Sequence, residues 1–276
     1  MDWLLDVQLL AFGLLAGILS GLLGIGGGVI YVLVLPPILI SLGVTDIEIV
    51  AFTVANSLFA TIFTTISGNI KQVTEKNFYL KPILYTSIPG VIVSFFLLHF
   101  FVNTRYYSKE IFNVVFVLVV FYLMIKLLLR IQESFHGTST PLNGTGSTSA
   151  FLFTGLAAGV VSPLTGLGGG LVVVPIFHSI LNFPIKQANS ISLGVIGITA
   201  VFSSIVNMIE VPESNVLSFH LGYIVFPIVF FLSIGGIVGA FLGVELAKKL
   251  SPFVISVLFA AFLILVLSKK LMEIFS

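Results

Sequence analysis

Gly13-Leu-Leu-Ala-Gly-Ile-Leu-Ser-Gly-Leu-Leu-Gly-Ile-Gly-Gly-Gly28 returns 142 positions later as Gly155-Leu-Ala-Ala-Gly-Val-Val-Ser-Pro-Leu-Thr-Gly-Leu-Gly-Gly-Gly170, identical at ten of sixteen places. The chain is therefore read as two related halves. Each copy opens its half and buries a glycine run inside apolar sequence. Matching, glycine-interrupted apolar segments in two halves point to a membrane protein whose working site lies where two broken helices meet.

Composition sets the same frame. Of 276 residues, 58% are apolar and only 8% charged, with a mean hydropathy of +1.20, whereas a soluble domain carries roughly 25% charged residues. A net charge of +1, with basic residues scattered over the loops, excludes a nucleic-acid partner. The absence of cysteine excludes disulfides, thiolate catalysis and cysteine metal sites. The start of the chain, Met1-Asp-Trp-Leu-Leu-Asp6, lacks the basic region of a cleavable signal, so its first apolar segment is expected to persist.

Ten apolar segments can be marked, at 4–23, 29–41, 48–70, 80–101, 111–129, 150–165, 171–181, 187–208, 217–246 and 252–267. A crossing of a hydrocarbon core needs about 20 apolar residues. The second and seventh segments are too short and directly follow the glycine runs. Each first-plus-second pair therefore reads as a re-entrant-like helical hairpin with its bend deep in the membrane. The expected fold is an all-α polytopic membrane protein of about ten segments. Residues 1–133 form one five-segment repeat and 150–276 the other, joined by the polar Gly/Ser/Thr-rich linker 134–149. Five is odd, so the second repeat would enter from the opposite face and be inverted.

Alternating the loops puts Lys71, Lys76, Lys81, Lys126, Arg130, Lys186, Lys248 and Lys249 on one side and Arg105, Lys109, Lys269 and Lys270 on the other. By the positive-inside rule this predicts a cytoplasmic linker and both termini outside, in the cell membrane. Asn143-Gly-Thr145 matches a glycosylation acceptor, but on the cytoplasmic side it would go unused.

The residues expected to bind a ligand follow from the repeat. Gly26, Gly27 and Gly28, and again Gly168, Gly169 and Gly170, expose backbone N–H groups at a bend that begins a half-helix. Such ends favour anions, and two converging ends make an anion site without a buried Lys or Arg. The spaced Gly13, Gly17, Gly155 and Gly159 read instead as close helix packing. A second duplicated element, Ala55-Asn-Ser-Leu58 and Ala188-Asn-Ser-Ile-Ser-Leu193, places Asn56, Ser57, Asn189, Ser190 and Ser192 in apolar helices. There they either glue helices together or line a polar cavity. Ser20, Ser162 and Thr165 precede the glycine runs and either add hydroxyl donors or bond back to their own helix.

Ionisable groups are scarce. His99, His178, Lys126 and Glu245 fall near segment ends and read as interfacial side chains. Pro89-Gly90, Pro227 and the Gly235-Gly236-xx-Gly239-xxx-Gly243 run read as kinks and close crossings. No metal or cofactor is expected. If protons are coupled to movement, either the substrate carries one or a histidine moves inward.

With Gly-xxx-Gly-xx-Ser-Gly-xx-Gly-Ile-Gly-Gly-Gly opening one half and its copy opening the other, the chain resembles the TauE/SafE family of membrane permeases over essentially its whole length. The resemblance implies a secondary transporter of small sulfur-containing anions such as sulfite, sulfonates or thiosulfate. It further implies proton linkage and a pathway around both glycine motifs and the elements that follow them. A passive small-anion channel or a carrier of a non-sulfur organic anion is the alternative. A membrane enzyme would need a deep cluster of His, Asp or Glu that the sequence lacks.

Overall fold

The computed structural model describes residues 3–104, 107–135, 146–214, 216 and 218–275. Arg105, Asn143 and most of the polar linker lie outside the described residues, as do the side chains of Lys126, Arg130 and Lys270.

Ten α-helices account for most of the described residues. The first half holds α1 (Trp3–Leu23), α2 (Gly28–Ser41), α3 (Ile49–Thr74), α4 (Leu80–Leu97) and α5 (Lys109–Phe135). The second holds α6 (Thr148–Thr165), α7 (Gly170–Pro175), α8 (Ile185–Ile209), α9 (Phe226–Lys249) and α10 (Pro252–Phe275). Single π-helical turns extend α4 through Leu98–Val102 and α7 through Ile176–Ile180. Among the described residues seven helices are long and apolar enough to cross a membrane, while Gly28–Ser41 and Gly170–Ile180 are too short. The protein is thus a helical, polytopic membrane protein.

Two expectations need correction. The ninth segment does not begin at residue 217: His220–Leu221 and Ile224–Val225 pair as a small antiparallel hairpin, turned by Gly222 at φ 55°, and the helix starts only at Phe226. Pro227 therefore sits in the first turn of α9 and starts the helix instead of kinking it, since the N–H it lacks has no partner there in any case. His178, near a segment end as the sequence places it, turns into the protein. It is buried, and its Nδ1 lies 2.9 Å from the Phe183 carbonyl, joining the π turn to the next loop.

Packing follows one pattern in both halves. Helix α1 packs mainly on α9, and α6 mainly on α4, so each half's first helix lies against the other half's fourth. Helices α3 and α8 pack on each other at the centre, with α2 on α3 and α7 on α8. Close approach rests on missing side chains. A Cβ on Gly13, Gly17 or Gly21 would strike the backbone of Leu232, Gly236 or Ala240, and one on Gly155 or Gly159 the backbone of Thr86 or Gly90. The spaced glycines are packing residues, as lipid offers helices no hydrophobic drive to associate and contact must come from fit.

Candidate functional site

Both helix breaks are made the same way. Gly24, Gly26 and Gly27 have φ of 71°, 78° and 79°, and Gly166, Gly168 and Gly169 have φ of 69°, 68° and 76°. Left-handed backbone costs a side-chain-bearing residue roughly 1–2 kcal/mol, which is why three glycines recur at identical spacing. Gly27 and Gly169 are the residues from which α2 and α7 start.

The two elbows meet. A Cβ built on Gly28 would lie 2.8 Å from the Gly166 carbonyl oxygen and 3.0 Å from Leu167 Cα. One built on Gly170 would lie 2.9 Å from the Gly24 oxygen and 3.0 Å from Ile25 Cα. All ten residues of 24–28 and 166–170 are buried.

Each elbow is held by the opposite half. Ser57 Oγ on α3 donates to the Gly166 carbonyl at 2.7 Å and stands 3.3 Å from that of Gly28. Ser192 Oγ on α8 donates to the Gly24 carbonyl at 2.7 Å. Two residues earlier on the elbows, Asn189 Nδ2 donates to the Leu22 carbonyl at 2.9 Å and the Tyr107 hydroxyl to the Leu164 carbonyl at 2.5 Å. These carbonyls end α1 and α6 and would otherwise be buried without partners. The first N–H groups of α2 and α7 have no acceptor within their own helices. Gly24 and Gly166 N–H bond back to the Ser20 and Ser162 carbonyls, and Ile30 and Val172 N–H to those of Gly27 and Gly169, so the glycine N–H groups between them lie at the positive ends of α2 and α7, where an anion is favoured.

Above the glycines lie Thr61 and Ile196. Their Cγ2 atoms stand 3.1 and 2.9 Å from a Cβ built on Gly26, and Ile196 also covers Gly168 and Gly170. The hydroxyls of Ser20, Ser162 and Thr61, and Asn189 Oδ1, are buried without a hydrogen-bond partner. Unpaired polar atoms in a dry interior cost roughly 1–3 kcal/mol each. Similar unpartnered atoms occur elsewhere in the helices, at Thr53, Thr86 and Ser203 among others.

Not every expected residue faces this centre. Asn56 is fully engaged: Nδ2 donates to Phe52 and Tyr223 carbonyls at 2.7 and 2.9 Å, and Oδ1 accepts from Val225 N at 2.8 Å. It anchors the short hairpin to α3. Ser190 donates to the Asn77 carbonyl, and Thr165 bonds back to Val161 O at 2.7 Å. The duplicated serine is Ser192, four residues before Ile196, as Ser57 is four before Thr61. The i, i+4 spacing from the two serines is the signal that finds Thr61 and Ile196.

The molecule's two ends differ in charge. At one, Lys71 pairs with Glu75 (3.5 Å) and Glu245 (3.1 Å), while Lys248 pairs with Glu75 (2.5 Å) and Glu245 (3.0 Å). This network ties α3 to α9. The hydrogen bond from Lys248 holds the Glu75 carboxyl below the usual carboxylate range. Beside it opens a cleft of about 220 Å³ floored by Gly21 and Asn189. At the other end a polar cleft of about 500 Å³ is lined by Glu48, Glu210, Glu213 and Asn103. Glu48 there accepts from the backbone N of Glu213 (2.9 Å) and of Ser214 (2.6 Å), and His99 Nδ1 lies 3.0 Å from Glu210. Burial and the neighbouring Glu48 push the Tyr223 phenol up. Among the described residues no cluster of His, Asp and Glu is arranged to hold a metal.

Paired, interrupted helices in a helical membrane protein are a build that many secondary transporters share. Residues 9–269 match the family model described as sulfite exporter TauE/SafE, and the chain belongs to that family. It is 31% identical over 268 residues to a probable membrane transporter protein of Haemophilus influenzae, covering 93% of this chain and 94% of that one. It is 28% identical over 246 residues to a probable membrane transporter protein of Methanocaldococcus jannaschii, covering 88% and 87%. The probable membrane transporter protein YunE of Bacillus subtilis is 26% identical over 219 residues, 74% of this chain and 78% of that one. No solved structure matches.

Proposed function

We propose that the chain is a secondary carrier of small sulfur-containing anions, sulfite, sulfonate or thiosulfate, working by alternating access across the cell membrane. Two inverted five-segment halves would rock about the glycine elbows, with the linker cytoplasmic and both termini outside. The exchange of partners, α1 on α9 and α6 on α4, supports such a pairing of halves. The observation that carries the reading is the mutual capping: Ser57 and Ser192 occupy elbow carbonyls across the halves, leaving backbone N–H groups for the anion. In that reading Gly26, Gly27, Gly28, Gly168, Gly169 and Gly170 bind the anionic head, and Ser57, Ser192 and Thr61 adjust around it.

The energies permit a carrier. A charge at the bilayer centre costs about 2.5–3.5 kcal/mol on insertion scales; helix termini return ~0.3–2 kcal/mol each and donors to a charged group ~1.5–3 kcal/mol each. Binding comes out weak, as release requires. The sealed contact between elbows favours a carrier over a passive channel, which needs a continuous pore. Reconstituted protein should show saturable counterflow, external sulfite or sulfonate accelerating exit of labelled internal anion. Gly27→Val and Gly169→Val should each abolish it while the protein still folds. Unchanged counterflow in both variants would remove the elbows from the mechanism.

A further inference from the structure

The cleft at the lysine-rich end reaches to within one helical turn of the first elbow, because its floor residue Asn189 packs directly on Gly24. Asn189 is only 3% exposed, and its Oδ1 has no partner. The orientation of the amide is fixed chemically: Nδ2 donates to the Leu22 carbonyl, and a flipped amide would set two oxygens against each other. Asn189 Oδ1 is thus a buried acceptor without a partner, beside a Glu75 carboxylate already paired with Lys71 and Lys248. The neighbouring acceptor, Gln72 Oε1, is already taken by Asn77 Nδ2 at 2.8 Å.

The charges around the cleft decide which donor. Facing it or bordering it are Lys71 and Glu75 from α3, Lys186 from α8, and Glu245 and Lys248 from α9. Lys71 and Lys248 are matched against Glu75 and Glu245, two against two. Among the described residues Lys186 is left over, its Nζ donating to the Lys248 carbonyl at 3.3 Å. The cleft thus carries one uncompensated positive charge beside one unsatisfied acceptor. That combination suits an anion that keeps a hydroxyl proton, and it disfavours both a cation and a fully deprotonated anion.

We propose that this cleft is a loading subsite for a monoprotonated oxyanion, hydrogen sulfite or another of that charge and shape, with its negative oxygens toward Lys186 and its O–H donated to Asn189 Oδ1. The inference rests on the anion-carrier reading and deepens it. Each anion taken up this way brings a proton with it, so movement is proton-linked without any carboxylate in the membrane interior. The volume, about 220 Å³, holds one small oxyanion with a few waters at roughly 30 Å³ each.

The test is calorimetric titration of the full chain in nanodiscs with sulfite, at one pH below and one above the second ionisation of sulfite. Methanesulfonate, always singly charged and without an O–H, is titrated at both pH values as the control. Wild type should bind sulfite about tenfold more tightly below the ionisation, the size of one hydrogen bond to a charged group. Methanesulfonate should bind equally at both. Asn189→Leu should erase the sulfite pH dependence; because it also strands the Leu22 carbonyl, the readout is the ratio of sulfite affinities at the two pH values within that one variant. Lys186→Gln, which leaves the floor intact, should weaken both anions and keep the dependence. Sulfite affinity in wild type that is flat with pH, or that falls in parallel with methanesulfonate, overturns the subsite while leaving the carrier reading in place. Failure of every anion to bind overturns the carrier reading as well.

Discussion

The two glycine elbows share their backbone but not their surroundings. At the first, the Leu22 carbonyl is held by Asn189, an amide with an acceptor to spare at the floor of a cleft. At the second, the equivalent Leu164 carbonyl is held by Tyr107, a phenol that is 1% exposed and has given its one proton to that bond. Over the glycines, Thr61 on one side answers Ile196 on the other. Both bends are buried, and a cleft opens beside the first at Asn189. On the proposed reading the anion enters at the first elbow and the second completes the grip.

This comparison can be broken or sharpened in order of effect. The largest loss should come from Gly28→Ala and Gly170→Ala, whose new methyl groups would push the elbows apart. Overpacking of this kind costs roughly 1–3 kcal/mol, and counterflow should drop more than about tenfold in both. A loss in only one would mean that the elbows do not act together. Next, Ser57→Ala and Ser192→Ala each strand a buried carbonyl. Thermal unfolding in detergent should show matching losses of about 1–3 kcal/mol, whereas Asn56→Ala should instead free the 220–225 hairpin and spare anion affinity.

A subtler contrast pits Tyr107→Phe against Asn189→Leu. Both remove a hydrogen bond of about 1 kcal/mol to an elbow carbonyl, so melting temperatures should fall alike. Only the Asn189 variant should change which anions bind. The smallest effect concerns the ion-pair network. Because Glu75 titrates lower in the folded protein, its contribution is full above the ordinary carboxylate pKa and is lost as pH falls through the lowered value. Lys248→Gln should shrink that acid-side decline, Lys71 keeping the remainder, measured as melting temperature against pH, and high salt should mask the difference.

Much of this architecture is written in the glycine repeat itself. The doubled motif, the short second and seventh segments and the two-half division lead directly to the helical membrane fold and to elbows that touch. Elements outside the repeat were less legible. The 220–225 hairpin sits in apolar sequence continuous with α9, and only its tie to Asn56 reveals why the chain pauses there. Asn56 and Ser190 could be read from sequence either as helix glue or as cavity lining, and each serves a backbone group a long way off in the chain. Tyr107 gave no signal at all, since a tyrosine between two apolar segments is ordinary until its partner carbonyl is seen. Lys186 was legible only as a topology charge, because the pairing that leaves it over is a three-dimensional fact.

The central claim is that both elbows bind one anion jointly. Crystals of the protein grown with selenite, a heavier oxyanion of the same shape as sulfite, would report it through a selenium anomalous difference map. The account predicts one peak between residues 24–28 and 166–170, within hydrogen-bond reach of N–H groups from both. A peak confined to one elbow, or its absence from a protein that demonstrably carries selenite, would contradict it.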